Sequence, residues 1–291
     1  MAQLDERRET TGTTQEALSD ALAGKYAYLQ AILRELGSVL VAYSGGVDSA
    51  LLLKVATDTL GAEHAVGALA SSAAYDEEET AEAVRVAATM GARLERVETR
   101  ELDDPRYMAN GADRCYFCKN ELFDQLEPLA AHLGLAHIAY GMNRDDRGDW
   151  RPGQRAARER AVRAPLDEAG FTKADVRTLA HRLGVPVWDK PALACYSSRI
   201  PYGSPVTVEA LRQVGRAERA LRALDFRQVR VRHHERLARI EIDPADFPRL
   251  LDAVLREQIV REVRAAGYLY VSLDLQGYRT GSLNEALLRR Q

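Results

Sequence analysis

The sequence predicts an α/β fold with a parallel, doubly wound sheet, followed by a smaller α+β domain. Short apolar runs of strand length alternate with helix-length segments, an order typical of strand–helix–strand crossovers. One apolar run, 39–43, leads directly into a glycine turn and a helix start. Beyond Pro205 the strands alternate apolar and polar residues, which predicts a small antiparallel sheet. We therefore expect a flexible N-terminal tail at 1–20, a first domain at 21–203 and a second at 204–291.

Hydrophobic periodicity and helix-terminus signals define the individual elements. Asp76 and the glutamates after it place negative charge where a helix dipole favours it, and Thr172 is a typical N-cap. The segment 146–163 is rich in Arg and Gly, and we predict a loop over the site there. In the first domain we expect helices at 14–36, 50–60, 76–90, 115–133 and 173–183 and strands at 39–43, 65–70, 94–99 and 137–141. In the second we expect helices at 208–224 and 246–265 and strands at 226–233, 237–242 and 268–275.

Composition narrows the class of protein. The 291 residues are 46% hydrophobic and 29% charged, as in a soluble globular protein. The net charge of −3 provides no general basic field for a nucleic-acid backbone. No apolar run approaches the length of a membrane span, and the polar N-terminus lacks an apolar signal core, so we predict a cytoplasmic protein. Three cysteines are too few for a disulfide framework in such a chain.

The segment Ser44-Gly45-Gly46-Val47-Asp48-Ser49 carries the strongest functional signal. Glycines between a strand and a helix let backbone N–H groups approach an oxyanion, and the helix dipole adds a favourable potential. The two serines supply hydroxyl groups, and Asp48 can hold a magnesium ion that bridges phosphates. The spacing is not that of a Walker loop, because no Lys-Ser/Thr pair follows the glycines. The segment therefore predicts a phosphate site of a different type.

Further polar residues follow the other predicted strands. Ligands of doubly wound sheets bind at the carboxyl ends of strands. Besides the loop after the first strand, these ends are Ala70-Ser71 and Gly141-Met142-Asn143, with Asp145 close behind. We expect Asn143 and the aspartate to contact ribose, magnesium or substrate.

The cysteines allow several interpretations. Cys115 and Cys118 form a C-x-x-C that could be a redox dithiol, half of a zinc site, two iron–sulfur ligands, or two partly buried free thiols. Cys195 lies between Lys190 and Arg199, cations that can favour a nucleophilic thiolate. It can also ligate a metal or be a small buried side chain.

Arg230, Arg232 and His234 alternate along one predicted strand and therefore share a face. Arginine forks bind phosphate or carboxylate groups bidentately. The alternative is a solvated strand face.

Together these motifs resemble the LarE family of ATP-dependent sulfur transferases of nickel-pincer nucleotide cofactor biosynthesis, within the ATP pyrophosphatase (PP-loop) superfamily. The resemblance runs from about Tyr26 to the C-terminus, and its most specific part is 188–203. The matching segments are 44–49, 114–119, 141–143 with Asp145 and Asp146, 151–153, 164–166, 168–170, 172–173, 188–192, Cys195, 197–203 and 229–232.

The resemblance implies a reaction in two halves. ATP adenylates a carboxylate of pyridinium-3,5-biscarboxylic acid mononucleotide with release of pyrophosphate, and a sulfur nucleophile then displaces AMP to give a thiocarboxylate. Members with only the cysteine matching Cys195 give up its sulfur and leave dehydroalanine. Members with three cysteines are proposed to hold a 4Fe–4S cluster that carries an extra sulfide, and this chain is similar to those.

The resemblance also implies residue roles. It assigns Cys115, Cys118 and Cys195 as catalytic cluster ligands and Asp48 as a Mg²⁺ ligand. The ATP contacts it implies are Ser44, Gly45, Gly46, Val47, Asp48, Ser49, Ala70, Ser71, Gly141, Asn143 and Asp145. The substrate contacts it implies are Ser198, Arg199, Glu218, Arg230 and Arg232. It further implies a small-molecule nucleotide substrate, no nucleic-acid or membrane partner, and a homo-oligomer such as a hexamer.

Other functions remain open at this stage. A tRNA thiolase of the same superfamily would need a basic surface and an RNA-binding domain, and neither is evident. An amidotransferase would need a glutaminase domain, for which there is no room before Ser44. A nucleotide-binding sensor would bind ATP without releasing pyrophosphate.

Overall fold

The computed structural model describes residues 18–148, 152–191, 194–279 and 281–284. Within these ranges the helices are α1 Asp20–Leu36, α2 Val47–Leu60, α3 Glu77–Thr89, α4 Pro105–Met108, α5 Arg114–Leu133, α6 Pro152–Glu159, α7 Pro165–Glu168, α8 Lys173–Arg182, α9 Val208–Ala223 and α10 Ala253–Ala265. The strands are β1 Val39–Tyr43, β2 Ala65–Ser71, β3 Arg93–Glu98, β4 His137–Tyr140, β5 Val229–His234, β6 Leu237–Ile242 and β7 Tyr270–Leu273.

The first sheet has the order β3-β2-β1-β4, and all of its described strand pairs are parallel. This confirms the predicted parallel α/β sheet. The sequence Val-Leu-Val-Ala-Tyr makes β1 apolar on both faces, as a central parallel strand requires. Chain order reverses between β1 and β4, so a crevice opens at the carboxyl ends of these two strands.

Helices cover both faces of this sheet. On one face α1, α2, α3 and α8 pack together around buried residues such as Leu33, Leu52 and Leu179. On the other face α5 and α6 contribute Phe123 and Ala156 to a second apolar cluster. The sheet is therefore held between two layers, and only its strand ends are open to a ligand.

The second sheet has the order β5-β6-β7 and packs against α9 and α10. The predicted antiparallel pairing is right for β5 and β6, whereas β7 pairs parallel to β6. A parallel pair needs a crossover connection, and α10 between β6 and β7 provides it. The predicted boundary between 203 and 204 stays a prediction.

Two predicted elements were wrong. The loop predicted at 146–163 contains α6, because Ala156 and Ala157 are both buried where this helix packs against α5. The single helix predicted at 246–265 is a 3₁₀ helix, Pro244–Leu251, followed by α10. The break falls at Asp252, whose carboxylate accepts a hydrogen bond from the Val254 N–H at 2.8 Å and caps the new helix.

At the N-terminus, α1 begins at Asp20, and the Ser19 hydroxyl caps it. The tail predicted at 1–20 and the helix start predicted near residue 14 fall largely on residues 1–17, which lie outside the described residues. None of the described helices combines the length and apolar character that crossing a bilayer requires.

Candidate active site

The glycine loop lies between β1 and α2. Gly45 has a φ of 75°, and a Cβ there would lie 2.7 Å from the Cβ of Ala83 on α3. Both the backbone conformation and the close packing therefore require glycine. Gly46 is the N-cap of α2, which begins at Val47. The side chain of Val47 is buried in the core, so only its backbone is available to the predicted ATP contact.

Ser49 holds the loop in shape from inside. Its hydroxyl donates to the Gly46 carbonyl at 3.0 Å and accepts from the Ser44 N–H at 3.1 Å. The Ser44 and Ser49 hydroxyl oxygens are 3.1 Å apart. Ser44 is exposed whereas Ser49 is buried, so the Ser44 hydroxyl is the one that an incoming phosphate can reach.

Asp48 is the centre of a polar cluster at the ends of β1 and β4. Its carboxylate accepts a hydrogen bond from Asn143 Nδ2 at 3.0 Å and forms an ion pair with Lys173 Nζ. The backbone N–H of Lys173 donates to Asp145 Oδ2 at 2.8 Å. The structure thus brings Asp48, Asn143 and Asp145 together, as the sequence predicted for the strand ends.

Gly141 makes this convergence possible. A Cβ at this position would lie 2.7 Å from the Ser49 nitrogen and 2.9 Å from the Asp48 carbonyl carbon. The chain leaving β4 therefore passes against the first turn of α2, at a distance that excludes any side chain. At the end of β2, Ala70 lines the adjoining cavity, whereas Ser71 is not among the lining residues.

One cavity reaches from the glycine loop to Cys195. Ser44 and Gly46 line it, and so do Cys195 and Arg199. The lining is mostly apolar and includes Ala42, Leu69, Ala70, Ala74 and Tyr75. The glycine loop and a thiol that are far apart in sequence therefore line the same space.

The three cysteines occupy one region and are free thiols. Cys115 and Cys118 lie in the first turns of α5, and Cys195 precedes a 3₁₀ turn, Tyr196–Arg199. Burial raises the pKa of the Cys118 thiol well above its usual range, and the nearby Cys195 and Glu101 raise it further. Cys118 also packs on the apolar cluster that contains Tyr196.

The turn that carries Cys195 is held by a buried ion pair. Arg199 and Glu218 are almost completely buried and form a bidentate pair, with Nε–Oε1 and Nη2–Oε2 distances of 2.7 and 2.9 Å. Arg199 Nη1 also donates to the Ala194 and Cys195 carbonyls at 2.6 and 3.1 Å. The Ser198 hydroxyl donates to the Cys195 carbonyl at 2.9 Å. The predicted substrate contacts of these residues stay predictions.

Arg230 and Arg232 are each only 6% exposed and are therefore not solvated, whereas His234 on the same strand face is exposed. Arg232 forms a bidentate pair with Glu241 at 2.9 and 2.7 Å and donates to the Ser198 carbonyl at 2.7 Å. Arg230 lies over the ring of Tyr278, 5.2 Å from its centroid. Burial and the proximity of Arg199 lower the pKa of Arg230 to about 10.

Comparison with known proteins decides the family. The chain is 40% identical over 270 residues to a pyridinium-3,5-bisthiocarboxylic acid mononucleotide synthase of Lactiplantibacillus plantarum, covering 93% of this chain and 97% of that protein. This chain belongs to the LarE family. No family model matches it.

Two further relatives are uncharacterized proteins. One, from Synechocystis, is 47% identical over 268 residues, which are 92% of this chain and all of that protein. The other, from Methanocaldococcus jannaschii, is 26% identical over 245 residues, with 83% and 91% of the two chains covered.

The magnesium ion and the iron–sulfur cluster that the LarE resemblance implies fit the residues of this chain to different degrees. Asp48 supplies the hard carboxylate oxygens that Mg²⁺ prefers, and it already has a cationic partner in Lys173. Three thiols in one region are the right donors for a cluster with one open iron. Among the described residues, however, no three Cys, His, Asp or Glu side chains are gathered closely enough to hold a metal ion. The thiols therefore fit a cluster in chemical type but are not gathered around one point, and the cluster stays a prediction.

Two residues of this LarE chain were missed as site residues. Lys173 is the first residue of α8, where the capping box of Thr172 and Asp175 fixes its backbone beside Asp145. That capping box was the sequence signal for it. Asp76 caps α3 and accepts a hydrogen bond from the hydroxyl of Tyr196, next to Cys195. Its acidic helix start was recognised, but nothing in the sequence indicated this distant partner.

Proposed function

We propose that this chain is an ATP-dependent sulfur transferase. It adenylates a carboxylate of pyridinium-3,5-biscarboxylic acid mononucleotide, releases pyrophosphate, and replaces AMP by sulfur to give the thiocarboxylate. The name of the Lactiplantibacillus relative, a synthase of the corresponding bisthiocarboxylic acid, supports this substrate. The single observation that carries the proposal is the cavity bordered by both the glycine loop and Cys195, because the two halves of the reaction need both in one place.

In the first half, the loop holds the phosphates of ATP. Backbone N–H groups at the start of α2 and the exposed Ser44 hydroxyl donate to phosphate oxygens. Asp48 would hold Mg²⁺, with Asn143 orienting its carboxylate, and the ion supplies neutralisation of phosphate charge. Lys173 then leaves Asp48 and turns to the phosphates as a mobile cation. A substrate carboxylate oxygen attacks the α-phosphorus, and the bond from this phosphorus to pyrophosphate breaks.

In the second half, sulfur attacks the carbonyl carbon of the acyl adenylate, and the bond to AMP breaks. Cys115, Cys118 and Cys195 would hold a 4Fe–4S cluster, which when bound supplies an exogenous sulfide as the nucleophile. The alternative is that Cys195 Sγ attacks directly. Loss of the Cys195 Cα proton and cleavage of its Cβ–S bond then leave the thiocarboxylate and dehydroalanine.

The substrate is an anion, and Arg230 supplies a buried positive charge beside the Arg199–Glu218 pair. Burial and repulsion from Arg199 lower the pKa of Arg230, and an anionic group beside it would favour its charged form. Hydrogen bonds connect Arg232 and Ser198 to the Cys195 turn, and Glu218 is connected to it through Arg199. We also propose a cytoplasmic homo-oligomer that binds no nucleic acid.

The test uses anaerobically purified full-length protein with ATP, Mg²⁺ and the pyridinium mononucleotide. We expect pyrophosphate release that depends on the mononucleotide, and a thiocarboxylate product detected by mass spectrometry. Pyrophosphate release with tRNA alone would instead favour a thiolase. ATP binding without pyrophosphate release from either substrate would favour a sensor.

The sulfur source is decided by iron and sulfide analysis together with peptide mass spectrometry of Cys195. A cluster enzyme contains iron, keeps Cys195 intact over many turnovers, and loses its iron in Cys115→Ala. Iron-free protein whose Cys195 becomes dehydroalanine after one turnover would replace the cluster by the sacrificial route and leave the family unchanged.

A further inference from the structure

Two buried polar residues, Asn110 and Arg114, connect the turn that carries Cys195 to the helix that carries Cys115 and Cys118. Asn110 is completely buried and Arg114 is only 3% exposed. Arg114 is the first residue of α5 and directly precedes Cys115. Neither residue has a place in the adenylation or substrate binding proposed above.

Asn110 closes the chain segment that follows the Cys195 turn. Its Nδ2 donates to the carbonyls of Pro201 and Ser204, both at 2.8 Å, with the Ile200 carbonyl at 3.3 Å. Its own backbone carbonyl accepts from the Gly203 N–H at 3.1 Å. Its φ of 54° is in the left-handed region, which asparagine tolerates better than most residues. The residue is therefore fixed both by its backbone and by its amide.

Arg114 joins this segment to the thiol helix. Its Nη1 donates to Asn110 Oδ1 at 2.5 Å and to the Ser197 carbonyl at 2.8 Å, two residues after Cys195. The Tyr107 hydroxyl lies 2.5 Å from the Ser197 hydroxyl and supports the same turn. Arg114 therefore ties the Cys195 turn directly to the start of α5.

We propose that Asn110 and Arg114 are positioning residues that set the distance from Cys195 to Cys115 and Cys118. The Cys195 turn is also tied to the start of α3 through Tyr196 and Asp76 and to the second domain through Arg199 and Glu218. The Asn110–Arg114 pair fixes the position of this turn relative to α5. The sulfur half of the reaction then depends on the pair, whereas adenylation at the glycine loop does not. The expected effect of the pair on activity rests on the proposed function, whereas its expected effect on the distances between the thiols does not.

The first experiment measures thiol proximity in the full chain without ATP or substrate. Dibromobimane bridges neighbouring thiols, and peptide mass spectrometry identifies the bridged pair. Asn110→Gly removes the amide but keeps a residue that accepts the left-handed backbone, and Arg114→Lys keeps the charge but loses the fork. We expect bridging of Cys195 to Cys115 or Cys118 in the wild type, and a loss of about tenfold or more in both variants.

Arg106→Met is the matched control. Arg106 lies in α4 and stacks on Phe117 of α5, 4.5 Å from the ring centroid, but it is exposed and pairs with Asp104. The thiols of this variant should be bridged as in the wild type. No bridging in the wild type, or wild-type bridging in folded Asn110→Gly, would overturn the proposal. If Asn110→Gly does not fold, Arg114→Lys decides by the same criterion.

The second experiment separates the two halves of the reaction. Both variants should release pyrophosphate from ATP and the pyridinium mononucleotide at the wild-type rate, while thiocarboxylate formation falls by about tenfold to a hundredfold. An equal loss in both steps would contradict a positioning role at the sulfur end. If the wild type releases no pyrophosphate, the proposed function fails, and the bridging experiment still decides the role of Asn110 and Arg114.

Discussion

The glycine-loop end of the cavity, which is the proposed phosphate end, and the thiol end are built in opposite ways. The loop at 44–49 is stabilised mainly by contacts within itself, as when Ser49 hydrogen-bonds to Ser44 and Gly46. The thiols come from two segments that are distant in sequence, and buried polar contacts such as Arg114 to Ser197 and Arg199 to Glu218 hold them. A short motif therefore encodes the shape of the glycine loop, whereas the whole fold encodes the thiol site.

The strongest way to separate the two ends is Cys195→Ala. Thiocarboxylate formation should fall by on the order of 10³-fold or more, because the side chain that is proposed to supply or hold the sulfur is gone. Pyrophosphate release should continue, since the loop is untouched. Parallel assays of both products check this. Loss of both products in a folded variant would mean that the two ends do not act separately.

Asp48→Asn is the corresponding change at the phosphate end. Without the carboxylate that pairs with Lys173 and is proposed to hold Mg²⁺, pyrophosphate release should fall by about 10²- to 10³-fold. Thiol bridging by dibromobimane should be unchanged. Asp58→Asn is the control, because Asp58 lies on the same helix and pairs with Lys54 at 2.6 Å away from the cluster. Equal effects of the two substitutions would contradict the role of Asp48.

Glu218→Gln tests whether the thiol end depends on the fold. It leaves Arg199 buried without its carboxylate, which should lower the free energy of unfolding by about 3–5 kcal/mol. Urea denaturation measures the change. Glu262→Gln, in an exposed pair with Arg261, should change stability by less than about 1 kcal/mol. Similar losses of unfolding free energy in the two variants would show that the buried pair is not a major stabilising contact.

The same pair predicts a pH dependence. Burial raises the pKa of Glu218, but Arg199 outweighs it, and the net pKa lies below the ordinary value of 4.5. The stabilisation is therefore complete above pH 4.5 and is lost as the pH falls through the lower folded-state pKa. Urea denaturation across this acidic range should show a steeper loss of stability for the wild type than for Glu218→Gln. Parallel curves would contradict the prediction.

Gly45→Ala is the smallest test and addresses the local motif. The left-handed backbone and the contact with Ala83 should cost about 1–3 kcal/mol. Gly24→Ala is the control, because Gly24 lies inside α1 with no atom within 4 Å of an added Cβ. It should stabilise the protein by about 0.5–1 kcal/mol. If both substitutions stabilise the protein, the loop does not require glycine at position 45.

This contrast also explains what the sequence could predict. The parallel sheet and the convergence of Asp48 with Asn143 follow from apolar strand runs and from the rule that ligands bind at strand ends. The helix α6 was missed because Ala156 and Ala157 supply its buried face without any large apolar residue. The pairing of β7 was missed because alternation is the same in parallel and antiparallel edges. The contacts of Asn110 join residues about ninety positions apart, which no local pattern indicates.

The helix α3 touches both ends of the cavity. At its start Asp76 accepts a hydrogen bond from Tyr196, the neighbour of Cys195. Two turns further on, Ala83 accepts from the Tyr43 hydroxyl at 3.0 Å and packs against Gly45. These contacts are separated by about 10 Å of helix, whose rise per residue is fixed. Because one helix contacts both the glycine loop and the turn that carries Cys195, a shift of the loop on nucleotide binding would also move that turn.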